Sequence, residues 1–146
     1  MLTVIFCDTS TLAKFYVTES ESVAVRTRLD REERVLASEL AKVELMAVFH
    51  RRLRERSWTR TEFLAVVRQF TKDDVAGYWG WIPLETALMN QVARVYDTLP
   101  ETVFLRTADC IHLITALQAG LTEIHTHDRH QIQAAAGLGL SVVTIR

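Results

Sequence analysis

The chain has 146 residues, of which 49% are apolar, and its formal net charge at pH 7 is −1. This composition supports a buried core and argues against intrinsic disorder. The charge balance argues against a protein that coats nucleic acid, but it leaves room for an enzyme with a local basic patch. Five arginines do cluster near the middle of the chain: Arg51, Arg52, Arg54, Arg56 and Arg60.

One domain spanning residues 1–146 is expected, because no linker, repeat or low-complexity tract divides the sequence. The two cysteines, Cys7 and Cys110, lie in apolar stretches and match no zinc motif, so we expect two buried thiols in a reducing compartment. Neither a signal peptide nor a membrane span is apparent. A soluble cytoplasmic protein without membrane contact is therefore expected.

The first half of the chain begins with a predicted strand over residues 2–7, whose apolar and β-branched residues suit a strand covered on both faces. Asp8 and the hydroxyl residues after it are helix N-cap types, and a short helix is predicted over residues 12–17. Further predicted elements are a helix over residues 21–31, a strand over 35–37, and a long helix over 39–56 that Ser38 caps.

The second half begins with a helix that Thr59 caps and that reaches about residue 75. The aromatic segment 77–83 ends at a proline and could be a strand or an ordered connection. Predicted after it are helices over residues 85–97 and 106–119, a strand over 123–126, a helix over 128–136 and a last strand over 141–145.

The alternation of strands and helices predicts an α/β fold with a parallel sheet and helices on both faces. In such sheets, sites form outside the carboxyl ends of the strands. Asp8 and Asp128 each follow a predicted strand, so we expect both at that edge. Each has a structural alternative: Asp8 could simply cap its helix, and Asp128 with Gln131 could form the acidic analogue of a capping box.

Two further acids are predicted on buried helix faces. Glu44 falls on an apolar arc of its helix, which should point it toward the core, where an unpaired carboxylate is very costly. That arc is formed by Leu40, Ala47 and Val48. Glu44 must then meet a metal, a set of donors or a buried basic side chain. Asp109 stands in an otherwise apolar helix, although an acid in a first turn also interacts favourably with the helix dipole.

If the four acids converge, their mutual repulsion has to be offset by a cation. Hard oxygen ligands select Mg²⁺ or Mn²⁺, and such a site can activate water and stabilise a phosphoryl transition state. Spacing along the chain does not by itself establish that these side chains meet.

Four short stretches, in order along nearly the whole chain, resemble the motifs of PIN-domain proteins, and especially the VapC-type toxins of toxin–antitoxin pairs. The stretches are residues 4–10 with 12–17, Ser38 with residues 43–45, residues 105–113, and residues 126–128 with Gln131. Each motif is short, and the common order of all four makes the resemblance specific.

The resemblance implies a three-layer α/β/α PIN-like fold with a central parallel sheet. It implies a Mg²⁺- or Mn²⁺-dependent endoribonuclease that cleaves RNA phosphodiesters, with catalytic, metal-binding carboxylates at Asp8, Glu44, Asp109 and Asp128. It also implies a toxin that is held inactive by a cognate antitoxin protein, and frequently a homodimer.

Three other classes of protein share some of these features. A non-catalytic PIN-like module that binds RNA or protein remains open. A receiver-like signalling domain fits poorly, because it needs an adjacent acidic pair after the first strand and a lysine after the last. An Asp-x-Asp phosphatase fits poorly too, because Ser10 occupies its second acidic position.

Supporting residues carry weaker expectations. The family often has a hydroxyl near the metal at the positions of Ser10 and Thr126, and each residue could instead cap a helix or end a strand. Arg106 could bind an RNA phosphate or be an ordinary surface arginine. His112 is expected to be a core residue.

The remaining histidines and the tryptophans are expected to be structural. We do not expect metal binding by His125, His127 and His130. We expect Trp58, Trp79 and Trp81 in the core or in an interface rather than as base-stacking platforms. For the antitoxin, an apolar groove is expected at Phe15, Tyr16, Val43, Met46 and Phe49.

Overall fold

The computed structural model of the chain describes residues 3–146. Over this range the strands are β1 (Val4–Phe6), β2 (Arg34–Ser38), β3 (Trp79–Ile82), β4 (Glu123–His125) and β5 (Ser141–Val143). The helices are α1 (Thr9–Tyr16), α2 (Ser22–Arg31), α3 (Leu40–Arg54), α4 (Arg60–Val75), α5 (Thr86–Thr98), α6 (Thr107–Gln118) and α7 (Arg129–Gly137).

The strands are parallel, and β1 marks the point where the connections change direction. Strand β2 lies between β1 and β3, with Val35 opposite Ile5 on one side and Trp79 on the other. Strand β4 pairs with β5, and a parallel bridge between Cys7 and His125 joins β1 to β4. The resulting order is β3-β2-β1-β4-β5. Ligand sites of open α/β sheets form where the strand order reverses, which here is between β1 and β4.

Two hydrophobic cores cover the two faces of the sheet and confirm the predicted three-layer architecture. Alternate residues of β1 face opposite sides, so Ile5 belongs to one core and Phe6 to the other. The first core is built largely by α1, α2 and α3, where Leu45 and Phe49 are fully buried. The second is built by α5, α6 and α7, and Leu113 is fully buried there.

The order of elements predicted from the sequence is confirmed, with local corrections at their ends. Helix α1 begins at Thr9, earlier than expected, because Asp8 caps it directly. Ser38 is not the N-cap of α3: it is the last residue of β2, and its hydroxyl accepts a hydrogen bond from the Leu40 backbone at 3.2 Å. The aromatic segment 77–83 contains a strand, β3. Of the first predicted strand, residue 2 lies outside the described residues.

Other predictions about the fold concern single residues. Cys7 and Cys110 are both fully buried free thiols, as expected, and burial raises the pKa of each. Trp79 is buried, and Trp58 and Trp81 pack partly buried against the first core. Within residues 3–146, no helix is both long enough and apolar enough to cross a membrane.

Candidate active site

A cleft of about 690 Å³ opens at the carboxyl edge of the sheet, where the strand order reverses. Three of the four acids singled out from the sequence line it, namely Glu44, Asp109 and Asp128. The fourth, Asp8, is only 3% exposed and lies against Ser10, which lines the cleft. The structure therefore brings all four predicted acids to one place, although they come from four different elements or their ends.

Asp8 follows β1 and is held by three donors. Its Oδ1 accepts from the Ser10 hydroxyl at 2.6 Å and from the Thr11 backbone N–H at 3.3 Å, and its Oδ2 accepts from the Thr126 hydroxyl at 2.5 Å. The bond to Thr11 makes Asp8 the N-cap of α1, so the structural interpretation of this residue also holds. Burial raises the pKa of Asp8 above its ordinary value, although His112 and the three donors act against that rise.

The hydroxyls of Ser10 and Thr126 tie the end of β1 to the end of β4. Besides donating to Asp8, Ser10 accepts from the His127 backbone N–H at 2.8 Å, and Thr126 accepts from the Asp128 backbone N–H at 3.0 Å. Each hydroxyl thus links one acidic residue to the neighbouring strand end. They fix the rotamer of Asp8 and the path of the chain into Asp128.

Arg106 connects two of the acids. Its Nε donates to Asp109 Oδ2 and its Nη2 donates to Asp128 Oδ2, each at 2.7 Å. Arg106 is a surface arginine at the start of α6, as one of the two interpretations had it, and contact with an RNA phosphate stays a prediction. A guanidinium presents donors in a planar fork, which lets one side chain bridge two carboxylates.

Asp128 also caps α7, as its spacing to Gln131 suggested. Its Oδ1 accepts from the backbone N–H of His130 at 2.8 Å and of Gln131 at 3.4 Å. Partial burial acts to raise the pKa of Asp128, but the His130 N–H and the Arg106 guanidinium outweigh burial and hold that pKa below its ordinary value. Asp128 is therefore ionised and already satisfied on both oxygens.

Asp109 lies in the most buried helix of the site. Residues 109–116 of α6 are all buried, which confirms the expectation of a buried helix, and Asp109 is only 6% exposed. The fully buried side-chain amide of Gln131 lies 3.3 Å from Asp109 Oδ1 and donates to it when its nitrogen faces the carboxylate. The motif residue Gln131 thus orients Asp109 as well as following the cap of α7.

Glu44 occupies the wall of the cleft, and its surroundings differ from those predicted. Ala47 is exposed and lines the cleft together with Val48, so the arc that carries Glu44 is a cleft wall rather than a core face. The core face of α3 is formed instead by Ala41, Leu45 and Phe49. The prediction of a carboxylate pointing into the core was therefore wrong, and its need for partners is met at the rim of the core.

Those partners are a hydroxyl and a histidine. Glu44 Oε1 accepts from the Thr9 hydroxyl at 2.7 Å and lies 2.6 Å from His112 Nε2. Burial acts to raise the pKa of Glu44, but His112 and Thr9 outweigh it, and the pKa lies below its ordinary value. His112 is buried, as expected, yet it serves the site because an ionised Glu44 can only accept the proton on Nε2.

The negative charge and the carboxylate oxygens of the site suit a divalent cation. In this structure, however, the acidic side chains do not point at one common position where an ion could bind. As they stand, residues 3–146 contain no group of three or more His, Cys, Asp or Glu side chains close enough to hold a metal ion. Asp109 and Asp128 face Arg106, whose positive charge sits between them. Carboxylate oxygens are the ligands that Mg²⁺ and Mn²⁺ prefer, and Arg106 would have to leave for an ion to reach both acids.

The histidines near Asp128 lie in three different environments. The ring of His127 contacts the Thr11 hydroxyl at 2.8 Å and the Ile145 carbonyl at 2.7 Å. The ring of His130 packs edge-on against Phe104, with centroids 6.0 Å apart. His125 is buried, and neither ring nitrogen has a hydrogen-bond partner among the described residues.

The apolar groove expected for a partner does not have the predicted lining. Phe49 is a fully buried core residue, so it forms no groove wall with Val43, which is 68% exposed on another side of α3. Met46 packs partly buried against the first core. Phe15 does line an apolar cleft of about 400 Å³, together with Tyr16, Arg26, Ala65, Val66, Gln69 and Asp73.

Parallel strands in this order, with four carboxylates at the reversal point, define a PIN-type α/β/α domain. The PIN domain family model matches residues 5–137, and the chain belongs to that family. It is 30% identical to Ribonuclease VapC46 of Mycobacterium tuberculosis over 95% of each chain.

Solved structures share the fold at lower identity. The toxin VapC20 of Mycobacterium tuberculosis, described as cleaving the Sarcin-Ricin loop, superposes with a TM-score of 0.69 at 14% identity, covering 93% of this chain and 95% of its own. VapBC2 of Rickettsia felis, bound to a DNA fragment from its promoter, gives a TM-score of 0.69 at 8% identity, covering 99% of this chain and 100% of its own.

Proposed function

We propose that the chain is a metal-dependent endoribonuclease and the toxin of a toxin–antitoxin pair. The proposal is based on four carboxylates that lie in or beside one cleft. They come from the ends of β1 and β4 and from α3 and α6. The choice of RNA as substrate is supported by membership of the PIN family and by the 30% identity to a protein named as a ribonuclease.

The residues that would hold Mg²⁺ or Mn²⁺, directly or through water, are Asp8, Glu44, Asp109 and Asp128. A bound ion of this kind supplies activation of water and neutralises charge on a phosphodiester. The protein's own contribution is positioning: Ser10 and Thr126 hold Asp8, Gln131 orients Asp109, and the carboxylates not tied to the ion can accept a proton from the attacking water.

His112 and Thr9 give Glu44 a defined role in this scheme. Both contact Oε1, which keeps the carboxylate ionised and turns it in one direction. The other oxygen, Oε2, then remains available to a ligand or a water in the cleft. His112 is a positioning residue here, because it does not line the cleft itself and contacts two residues that do, Glu44 and, at 3.4 Å, the Thr9 hydroxyl.

The antitoxin is proposed as a protein that places a cationic side chain among the acids. Arg106 already shows that a guanidinium can bridge Asp109 and Asp128, and a partner's basic group could compete for the same oxygens. The apolar cleft that includes Phe15 is the groove we propose for a partner helix, in place of the groove expected from sequence. A homodimer remains a prediction, which light scattering of the purified chain would measure.

Asp109→Asn tests the catalytic proposal. The variant keeps the shape of the side chain and should lose at least about 100-fold in RNA cleavage with Mn²⁺, because even residues behind metal ligands commonly cost 10- to 100-fold. Asp97→Asn removes the same charge at an exposed position of α5 and serves as the control, which should cleave like the wild type.

Full activity in a folded Asp109→Asn protein would contradict the proposal that the four acids form the catalytic metal site. A wild-type protein that binds RNA but cleaves none in Mg²⁺ or Mn²⁺ would instead favour the non-catalytic PIN-like module. Circular dichroism of each variant would separate loss of chemistry from loss of fold.

A further inference from the structure

The cleft has two ends of opposite charge. Its inner end carries the acids Glu44, Asp109 and Asp128, and its outer end is lined by Arg51 and Arg54 of α3. Arg51 is seven positions and Arg54 ten positions after Glu44, so along the helix axis they lie about 10 Å and about 15 Å from it. We call the cleft-lining residues of this helix beyond Glu44 the α3 ridge: Ala47, Val48, His50, Arg51 and Arg54.

The charges of Arg51 and Arg54 are free to meet a ligand. Both side chains are exposed, and neither forms an ion pair within the part of the chain that the structure describes. Their neighbour Arg52 differs, because its Nη2 donates to Glu19 at 2.7 Å. Along the axis of α3, Glu44 is about a Debye length from Arg51 and farther from Arg54, and none of the acids of the cleft pairs with either arginine among residues 3–146.

A structural role for these arginines is the competing explanation. Basic residues in the last turn of a helix stabilise its dipole, and α3 carries three of them there. That role explains why arginines end the helix. Arg52 can stabilise the dipole as well as the other two, although it does not line the cleft and pairs with Glu19 instead. It gives no reason for two of the three to line the same cleft as the acids.

We propose that Arg51 and Arg54 bind backbone phosphates of single-stranded RNA and lead the strand along the α3 ridge to the carboxylates. This inference rests on the proposed ribonuclease function. A cleft of about 690 Å³ has the size of sites for small ligands, so it has room for a short stretch of a single strand. Guanidinium groups pair bidentately with phosphate oxygens, and contacts to phosphates position a strand without reading its sequence.

The surface between the two charged ends fits this path. Ala47 is small and exposed and Val48 is half-buried, so no bulky side chain rises from the ridge next to Glu44, and the exposed imidazole of His50 adjoins Arg51. A sugar or base can cross there while one phosphate lies at the acids and others lie at the arginines. No carboxylate interrupts the α3 ridge, so a polyanion meets repulsion only at the acid end, where a metal ion would offset it.

The test compares two double variants of equal charge. In Arg51→Gln with Arg54→Gln, the ridge loses its cations, whereas Arg60→Gln with Arg68→Gln removes two exposed arginines of α4 that do not line the cleft. Binding of a fluorescent single-stranded RNA of about 12 nucleotides is measured by anisotropy in EDTA over a range of salt concentrations. Cleavage kinetics are measured with Mn²⁺.

For the ridge variant we expect a roughly tenfold rise in KM with little change in kcat, since the lost contacts are made equally before and during reaction. The slope of log affinity against log salt should flatten by about 1.4, for two phosphates of a single strand. The α4 variant should match the wild type in both measurements. Arg51→Lys with Arg54→Lys should retain most of the slope, because the charge is kept.

Two outcomes overturn the inference without deciding whether the chain is a ribonuclease, because that function is tested by cleavage in the wild type. If the wild type cleaves RNA and the ridge variant matches the α4 control in KM and salt slope, the ridge does not bind RNA. If RNA binding is unchanged while capture of a neighbour-encoded protein is lost, the ridge is a protein contact instead. If the wild type cleaves nothing, the proposed function fails, and the anisotropy difference in EDTA alone decides the ridge.

Discussion

Arg106 holds the two cleft-facing aspartates together in the absence of an ion. Its guanidinium donates to Asp109 and Asp128 at 2.7 Å each, and both carboxylates would otherwise repel across the cleft. An ion that binds the same two oxygens must displace this side chain. Arg106 therefore stabilises this arrangement of the two acids and would compete with a metal ion for the proposed ligands.

Replacing Arg106 with Gln should raise the affinity for Mn²⁺ and lower the melting temperature without metal. We expect an increase in affinity of roughly tenfold, corresponding to about 1.4 kcal/mol, because the competing charge is removed. Titration calorimetry without RNA measures the affinity, and thermal melts with and without Mn²⁺ measure the stabilisation by bound ion. Arg94→Gln, at an exposed position of α5, is the control. An unchanged or weaker affinity would mean that Arg106 supports the metal rather than competing with it.

Asp8 is a buried charge that the metal-free fold tolerates at a cost. Burial raises its pKa above the ordinary value for aspartate, about 3.9. A carboxyl whose pKa is higher in the folded state binds its proton more tightly there, so folding is favoured as pH falls through that raised pKa and disfavoured above it. The neutral analogue Asn carries no such penalty.

Asp8→Asn should therefore make the metal-free protein more stable than the wild type at about pH 7. Its advantage in unfolding free energy should shrink as pH falls through the raised pKa of Asp8, where the wild-type carboxyl becomes protonated in the fold. Urea unfolding in EDTA at several pH values measures the difference, with Asp97→Asn as the control for an exposed acid. A variant that is less stable than the wild type by the same amount at every pH would show that the cap and the hydrogen bonds dominate.

At the scale of elements, α3 shows why the sequence predicted Glu44 only in part. Its apolar residues surround much of the helix: Leu45 and Phe49 face the core, while Ala47 and Val48 line the cleft. A helical pattern cannot distinguish an apolar cleft wall from a core face, because both faces consist mainly of uncharged residues. The conclusion that Glu44 needs partners was sound, and the partners, Thr9 and His112, come from other elements that no local pattern connects to it.

Three capping signals at element ends were reliable because they are local, although Ser38, a fourth, does not cap α3. Thr59 caps α4 by accepting from the Glu62 N–H at 3.1 Å, and Glu62 accepts from the Thr59 N–H at 3.1 Å. Asp8 and Asp128 were likewise placed correctly as caps after β1 and β4. The bridging role of Arg106 could not be foreseen, because a surface arginine at a helix start and one turned to two acids have the same local sequence.

The capping box of α4 gives a prediction at this scale. Thr59→Ala removes the side-chain oxygen that satisfies a free N–H of the first turn and should lower the free energy of unfolding by about 1 kcal/mol. Thr61→Ala, in the same turn and exposed, should be neutral or slightly stabilising, because alanine has the higher helix propensity. Chemical denaturation of both variants gives the comparison. Equal effects would show that the cap contributes nothing specific.

At the scale of the molecule, the site depends on strand order more than on any single element. The reversal between β1 and β4 puts the residues after both strands side by side, and α6 and α3 add their acids from the two layers. The alternation of elements predicted the parallel sheet, and the residues following its strands predicted two of the four acids. The convergence of the other two required the packing of both helical layers, which is set by contacts distant in sequence. That residues 1–146 form one domain stays a prediction.

The toxin role is a property of the whole molecule, since it needs an active cleft and a surface that a partner can cover. Expression of the chain alone should slow growth, and co-expression of a small protein encoded beside it should restore growth. The Asp109→Asn chain is the matched control: it should be harmless, because the site is impaired. It should still recover the same small protein in a pull-down, because the apolar cleft near Phe15 is intact and Asp128 keeps its carboxylate for the partner's basic group. Replacing Ala65 in that cleft with Arg should weaken recovery without affecting RNA cleavage, because a long charged side chain would fill an apolar groove. A chain that is harmless alone, cleaves no RNA and recovers no neighbour-encoded protein would end the toxin proposal, and membership of the PIN family would stand without it.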